Sequence, residues 1–185
     1  MKEKLLLIGE TARGKDTVCR ILQEKYGLVP VCSYTDRPMR PKETNGKEHH
    51  FVSKKEAKKL LRKKSKDVVA YTEIGDYRYF AFQEDFEKAD IYIVDPAGVT
   101  YLKEKCPDVP MIAVYVTCRE DIAKKRAILR GDKEKVYEER SKAEKEQFYA
   151  FRKNQDYDIV IYNNGTKEML LKNVKALMCQ KGDLT

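Results

Sequence analysis

The sequence predicts an α/β fold, a parallel sheet flanked by helices, and three observations carry that expectation. Short apolar runs recur at Lys4 to Ile8, Ile91 to Asp95, Met111 to Val116 and Ile159 to Tyr162, each the length of a strand buried on both faces. Stretches of helical pattern separate these runs, and alternation of strand with helix is the pattern of parallel sheets. The 185 residues fit one domain, and 42% hydrophobic residues with 12 Tyr and 6 Phe supply its core.

In chain order, Lys4 to Ile8 is a buried strand bounded by Gly9, followed by a loop and a helix from Thr17 to Lys25 that stops near Gly27. Leu28 to Cys32 is a candidate second strand. Pro38, Pro41 and Gly46 make Tyr34 to Lys47 loop or irregular edge. Lys54 to Lys66 reads as a helix with Leu60 and Leu61 on its apolar side. Val68 to Phe82 alternates, is rich in Tyr and turns at Gly75-Asp76, the signature of a hairpin. The strand from Ile91 ends in Asp95, and Met111 to Val116 is the next. Glu120 to Gln155 is a long charged helical stretch interrupted at Gly131-Asp132. A last strand, Ile159 to Tyr162, and a last helix, Lys167 to Met178, complete the chain.

Composition excludes several classes. No apolar stretch approaches a membrane span, and the start of the chain lacks a secretory pattern, so the expectation is a soluble, unprocessed protein with no membrane partner. The five cysteines, Cys19, Cys32, Cys106, Cys118 and Cys179, form no CxxC pair and lie far in sequence from His49-His50. That argues against a disulfide framework or zinc site and for the reducing cytoplasm. The formal net charge of +8 suits nucleic acid or a phosphorylated small substrate alike. The lysines are spread over separate helices with acids between them, without aromatic interleaving, so nucleic acid is not the expected partner.

The strongest local signal is Gly9-Glu10-Thr11-Ala12-Arg13-Gly14-Lys15-Asp16-Thr17. It follows the first strand and opens the first helix, where a phosphate-binding loop belongs. Successive backbone N–H groups and the positive end of a helix dipole cradle an anion there, and Lys15 reaches the outer phosphates of a nucleotide such as ATP. Asp16 stands where a metal-ligating Ser or Thr is usual, with Thr17 next. Mg2+ is then held through waters, or Asp16 lends it a carboxylate. Asp95, at the end of a buried strand, is either a metal-organising acid or a cap before Pro96. The bland reading of the loop is a strand-to-helix turn without a ligand.

Other arginines are spaced for anions. Arg37 and Arg40 are near enough to converge on one phosphate, and Arg126 and Arg130 share a helix face. The bland reading of Arg126, Arg130 and Arg140 is a solvated basic face. The segment from Ser33 through Arg37, Arg40 and Glu43-Thr-Asn-Gly-Lys to Phe51 resembles the acceptor-nucleotide segment of guanylate kinases. Asp95-Pro-Ala-Gly98-Val, the arginines 126, 130 and 140, and Asn163 also fall at positions that look like that family's, over nearly the whole chain.

The resemblance implies a phosphate-loop core (1–32, 86–118, 141–185), an acceptor-binding insert (about 33–85) and a helical lid (about 119–140). It implies transfer of the ATP γ-phosphoryl group to GMP or dGMP with Mg2+, by a monomer or homodimer. By the same resemblance Lys15, Arg126, Arg130 and Arg140 act on the transferring group. The loop residues 9–17 and Asn163 bind ATP, and Asp16, Thr17 and Asp95 serve the metal. Ser33, Arg37, Arg40, His49, Tyr79, Asp95 and Gly98 serve the acceptor. The departures lie in the base pocket. Counting back from Tyr79 puts the family's base-reading Glu at Ala70, a hydroxyl position falls at Ala81, and a phosphate-holding Tyr is His49. Glu73 and Asp76 are the next acids, able to substitute if the hairpin is displaced. The alternatives are the same transfer to another nucleoside monophosphate, or a non-catalytic binding module.

Overall fold

A computed structural model describes residues 3–41 and 43–180. Its elements are β1 (Lys4–Ile8), α1 (Lys15–Tyr26), β2 (Tyr34–Thr35), β3 (His50–Phe51), α2 (Lys54–Lys63), β4 (Val68–Ile74), β5 (Tyr77–Phe82), α3 (Gln83–Lys88), β6 (Ile91–Ile93), α4 (Pro96–Lys105), β7 (Met111–Thr117), α5 (Glu120–Leu129), α6 (Glu134–Asn154), β8 (Ile159–Tyr162) and α7 (Lys167–Gln180). One sheet has the order β6-β1-β7-β8, and its three pairings are all parallel. The other has the order β3-β2-β5-β4 and is mixed, with β2–β3 parallel and the two pairs involving β5 antiparallel.

The parallel sheet explains the apolar runs. Every residue of β1 is buried, because helices cover both faces. Leu5 and Leu7 pack with Val18, Ile21 and Leu22 of α1 and with Leu170, Val174 and Leu177 of α7. Leu6 and Ile8 point the other way, toward Val99 and Leu102 of α4 and Phe148 and Phe151 of α6. The smaller sheet covers its own cluster, in which Phe80 and Phe82 pack on Ala57, Leu60 and Leu61 of α2. A Ser53–Glu56 capping box starts α2, with the Ser53 hydroxyl accepting from the Glu56 N–H.

Lys4 is the charged exception in β1. Its ammonium donates to the carbonyls of Phe86 (2.7 Å), Glu87 (3.2 Å) and Ala89 (2.5 Å), where α3 ends. The Phe86 carbonyl also accepts from the Ala89 N–H as the helix ends, and the ammonium gives these last carbonyls a further donor, so a buried cation closes the junction between α3 and β1.

The sequence expectations hold for most elements and fail at particular ones. Leu28 to Cys32 is not a full strand: it makes one bridge, Pro30 to Ile91, flanked by bonds between Val29 or Val31 and residues 90–91. The Val29 N–H donates to the Asp90 side chain, and the pairing stops at this one bridge. Tyr34–Thr35, expected as loop, forms β2 between β3 and β5. The helix expected to Lys66 ends at Lys63, and Ser65–Asp67 is a 3-10 turn. The charged stretch is broken at Gly131 as expected, with φ +97°. Helices α3 and α4 were not among the expected elements. No helix among the described residues is long and apolar enough to cross a membrane.

Replacing Lys4 with Met keeps the stem and leaves the carbonyls of Phe86, Glu87 and Ala89 without this donor. The expected cost is about 2 to 3 kcal/mol of folding stability, read as a lower urea midpoint. An unchanged midpoint would show that the junction does not depend on the ammonium.

Candidate active site

The loop between β1 and α1 is held open from behind. The Glu10 carboxylate, 5% exposed as a residue, accepts from the Tyr115 hydroxyl at 3.0 Å and pairs with Arg152. Arg13, equally buried, donates to the Cys118 carbonyl and, at 2.7 Å, to Glu120. Both side chains therefore serve as anchors, which leaves the loop backbone, the part expected to cradle an anion, on the other side. Ala12 adopts φ +59° and Gly14 φ +102°, the left-handed excursions that bring N–H groups round to one side. Asn163, 4% exposed, seals the loop by donating to the Arg13 carbonyl at 3.0 Å and accepting from Arg126 at 3.3 Å.

Lys15 bends back over the loop, donating to the carbonyls of Gly9 (2.5 Å) and Glu10 (3.0 Å). Burial pushes its pKa below the ordinary lysine value; Asp16 and Glu144 oppose this and Arg140 adds to it. The Thr11 N–H donates to the Glu144 carboxylate at 2.5 Å, and the other Glu144 oxygen accepts from Arg140 at 2.9 Å. Arg130 reaches the Thr11 hydroxyl at 3.2 Å. Beside the loop a cavity of about 280 Å³ is lined by Gly14, Thr17, Arg20, Arg126 and Asn163 among others.

The second cluster lies on the insert. Arg37 makes a two-pronged pair with Glu43, at 3.0 and 2.9 Å, and the same carboxylate accepts from the Arg40 N–H at 2.7 Å. Ser33 Oγ lies 2.9 Å from His49 Nδ1, and the His49 ring meets Tyr79 edge-on at 5.8 Å. Burial, reinforced by Arg37, lowers the His49 pKa and keeps the ring neutral at pH 7. Burial also lowers the Arg40 pKa, and Arg37, Arg130 and Arg140 all act on it in the same direction. Arg130 and Arg140 meet the loop at Thr11, the first through its hydroxyl and the second through Glu144. Three buried guanidinium nitrogens, Arg13 Nε, Arg37 Nε and Arg126 Nη1, have no hydrogen-bond partner among the described residues.

The guanylate kinase family model matches residues 1–181. The chain belongs to the guanylate kinase family. It is 29% identical to the guanylate kinase of Symbiobacterium thermophilum, covering 97% of this chain and 88% of that protein. It is 28% identical to that of Helicobacter pylori, covering 94% and 87%. The fold is similar to the crystal structure of guanylate kinase from Anaplasma phagocytophilum, with a TM-score of 0.67 at 18% identity over 96% of this chain and 85% of that one.

Against the family pattern, the hairpin is where this chain departs. Ala70 and Ala81 are opposite each other in the β4–β5 register, both buried. Glu73 is on the other face of β4 from Ala70 and Thr72, exposed and accepting from the Tyr71 hydroxyl. Only a one-residue slip would turn it inward, and the paired register from Ala70 to Ile74 opposes that. Asp76 sits at the exposed hairpin tip. Neither acid takes up the position of Ala70.

Asp95 is a cap. It is the N-cap of α4, accepting from the Gly98 N–H at 2.7 Å, from the Thr72 hydroxyl at 2.8 Å and from Gln147 at 3.0 Å. The Gly98 N–H is thereby spent on Asp95, not on a ligand. Of the three residues expected at a metal, this leaves Asp16, exposed in the first turn of α1, and Thr17 behind it. The sequence reading passed over Glu144, Gln147 and Thr72. Thr72 had a signal, since it shares a strand face with Ala70. Glu144 and Gln147 had none, because only folding carries them to Thr11 and Asp95.

Two outcomes follow from the geometry. A Cβ at Gly14 would collide with the Asn163 amide and force a side chain into φ +102°. Gly14→Ala is expected to weaken ATP binding about tenfold or more, by titration calorimetry, with the far-ultraviolet dichroism retained. The second concerns His49, whose folded pKa lies below the ordinary 6.5. Between those values only the unfolded chain takes up the proton, so stability is full above about pH 6.5 and falls as the pH drops. Denaturation midpoints followed from pH 7 to 5 are expected to decline less in His49→Gln.

Proposed function

We propose that this chain transfers the γ-phosphoryl group of ATP to GMP or dGMP, giving ADP and GDP or dGDP. The observation that carries the reading is the convergence of arginines on the loop: Arg130 reaches the Thr11 hydroxyl at 3.2 Å, Glu144 bridges Arg140 to the Thr11 N–H, and Arg126 meets Asn163 behind Gly14. Like charges brought together with buried, unpartnered nitrogens call for an anion between them. Two phosphate groups, one on the donor and one on the acceptor, meet that demand.

In this reading the loop N–H groups and Lys15 hold the donor's β- and γ-phosphates. Arg37, Arg40, His49 and Tyr79 hold the acceptor α-phosphate. An oxygen of that phosphate, already ionised, forms the new bond to the γ-phosphorus as the bond to the β–γ bridging oxygen breaks, and ADP leaves with the electron pair. No side chain needs to act as nucleophile or base. Arg126, Arg130 and Arg140 neutralise the charge that spreads over the transferring oxygens. The lid (about 119–140) and the insert (about 33–85) would close on the core and exclude water.

Mg2+ supplies further charge neutralisation on the phosphates when bound. The described residues contain no group of three or more potential acidic, Cys or His ligands. That suits a Mg2+ held mostly by phosphate oxygens and waters, with Asp16 and Thr17 the residues to orient it. The working form would be a cytoplasmic monomer or homodimer.

A second reading keeps the chemistry and changes the base. It is favoured by the paired methyl groups of Ala70 and Ala81, which read no donor of guanine. The deciding experiment is ADP release with ATP and Mg2+ over GMP, dGMP, AMP, CMP, UMP and dTMP. Turnover on GMP and dGMP is expected, with kcat reduced about 10² to 10³-fold in Lys15→Ala. Turnover on a different monophosphate alone would establish the second reading, and silence across the panel would sink the kinase.

A further inference from the structure

We propose that Glu144 is a built-in stand-in for a nucleotide phosphate, occupying the loop until ATP displaces it. The inference rests on the kinase reading and goes beyond it by giving the chain its own competitor for the donor site. The Glu144 carboxylate bridges a loop N–H, that of Thr11, at 2.5 Å and the Arg140 guanidinium at 2.9 Å. Those are the two kinds of donor, backbone amide and arginine, that a phosphate oxygen takes. The side chain is 14% exposed, four residues along α6 from Arg140 and 133 residues from Thr11. The contact is therefore tertiary and not a by-product of the helix's own pairing.

The surroundings account for its presence. Arg130 and Arg140 both meet the loop at Thr11, directly or through Glu144, and Arg140 and Glu144 act on Lys15 in opposite directions. Without ligand, a carboxylate at the loop compensates this charge and keeps the backbone donors satisfied. With ATP bound, the phosphates take over both tasks, so Glu144 must let go of Thr11. Its release also frees Arg140, which the carboxylate otherwise holds, to turn to the γ-phosphate. Glu144 is thus a positioning residue that lowers donor affinity, because only the fraction of molecules with the loop vacated can bind.

The test is calorimetric titration of the full chain with adenylyl imidodiphosphate and Mg2+, beside thermal melts with and without that ligand. Glu144→Gln keeps the shape and removes the charge, and Glu144→Asp keeps the charge and shortens the reach. Both are expected to bind the ligand more tightly, about tenfold for Gln, while melting lower than wild type when empty. The ligand-induced rise in melting temperature is expected to grow, and GMP affinity to stay as it was. A residue that merely braces the fold would lower both melts together and leave the affinity unchanged or weaker. Either result in both variants overturns the proposal. No binding by wild type would instead overturn the kinase reading on which it rests, and the two failures are told apart by the wild-type titration alone.

Discussion

Positive charge held at close quarters is the constraint on which the rest of this molecule depends. Four cations around the cleft have an acid assigned to them: Glu43 to Arg37, Glu144 to Arg140, Asp132 to Arg130 and Glu120 to Arg13. These pairings are charge-assisted hydrogen bonds in partly dry surroundings, which makes each worth more than its surface counterpart. The scaffold allows such crowding because β1 is gripped on both faces and cannot yield. A loop anchored to so rigid a strand, and tied behind by Glu10 and Arg13, keeps its N–H groups aimed at one point in the absence of a ligand.

The division of labour on the loop follows from geometry. In a tight turn the backbone donors face inward, so side chains must leave on the other side, and Glu10 and Arg13 do so by entering the protein. In the smaller sheet the hairpin register decides which residues share a face. Ala70 and Ala81 face each other in that register and are buried in the core cluster with Phe86, Tyr92 and Val99, while Thr72 and Gln147 both donate to Asp95.

What was legible in the sequence was what lies close together along it. The phosphate loop, the arginine pairs and the hairpin turn each occupy fewer than about fifteen consecutive residues, so their chemistry follows from spacing. The double role of Asp95, acid or cap, was resolved only when Gly98, Thr72 and Gln147 converged on it. The strand expected at Leu28 to Cys32 shrank to a single bridge because a hydrophobic pattern does not show how few partner residues β6 offers there. Helix α4 went unread because Pro96 and Gly98 look like punctuation, whereas Pro is at home in a first helical turn. Glu144 was illegible for another reason: within α6 it is one of many acids, and its partner is 133 residues away.

Helix α6 has one more consequence. Arg140, Glu144 and Gln147 lie on one side of a continuous 21-residue rod, and Arg152 is a turn further on. The rod is bonded to the loop after β1 through Glu144 and Arg152 and to the start of α4 through Gln147 and Asp95. One stiff body thus braces the turns that follow two neighbouring strands of the parallel sheet, β1 and β6, so that these two strand ends are held at a fixed spacing.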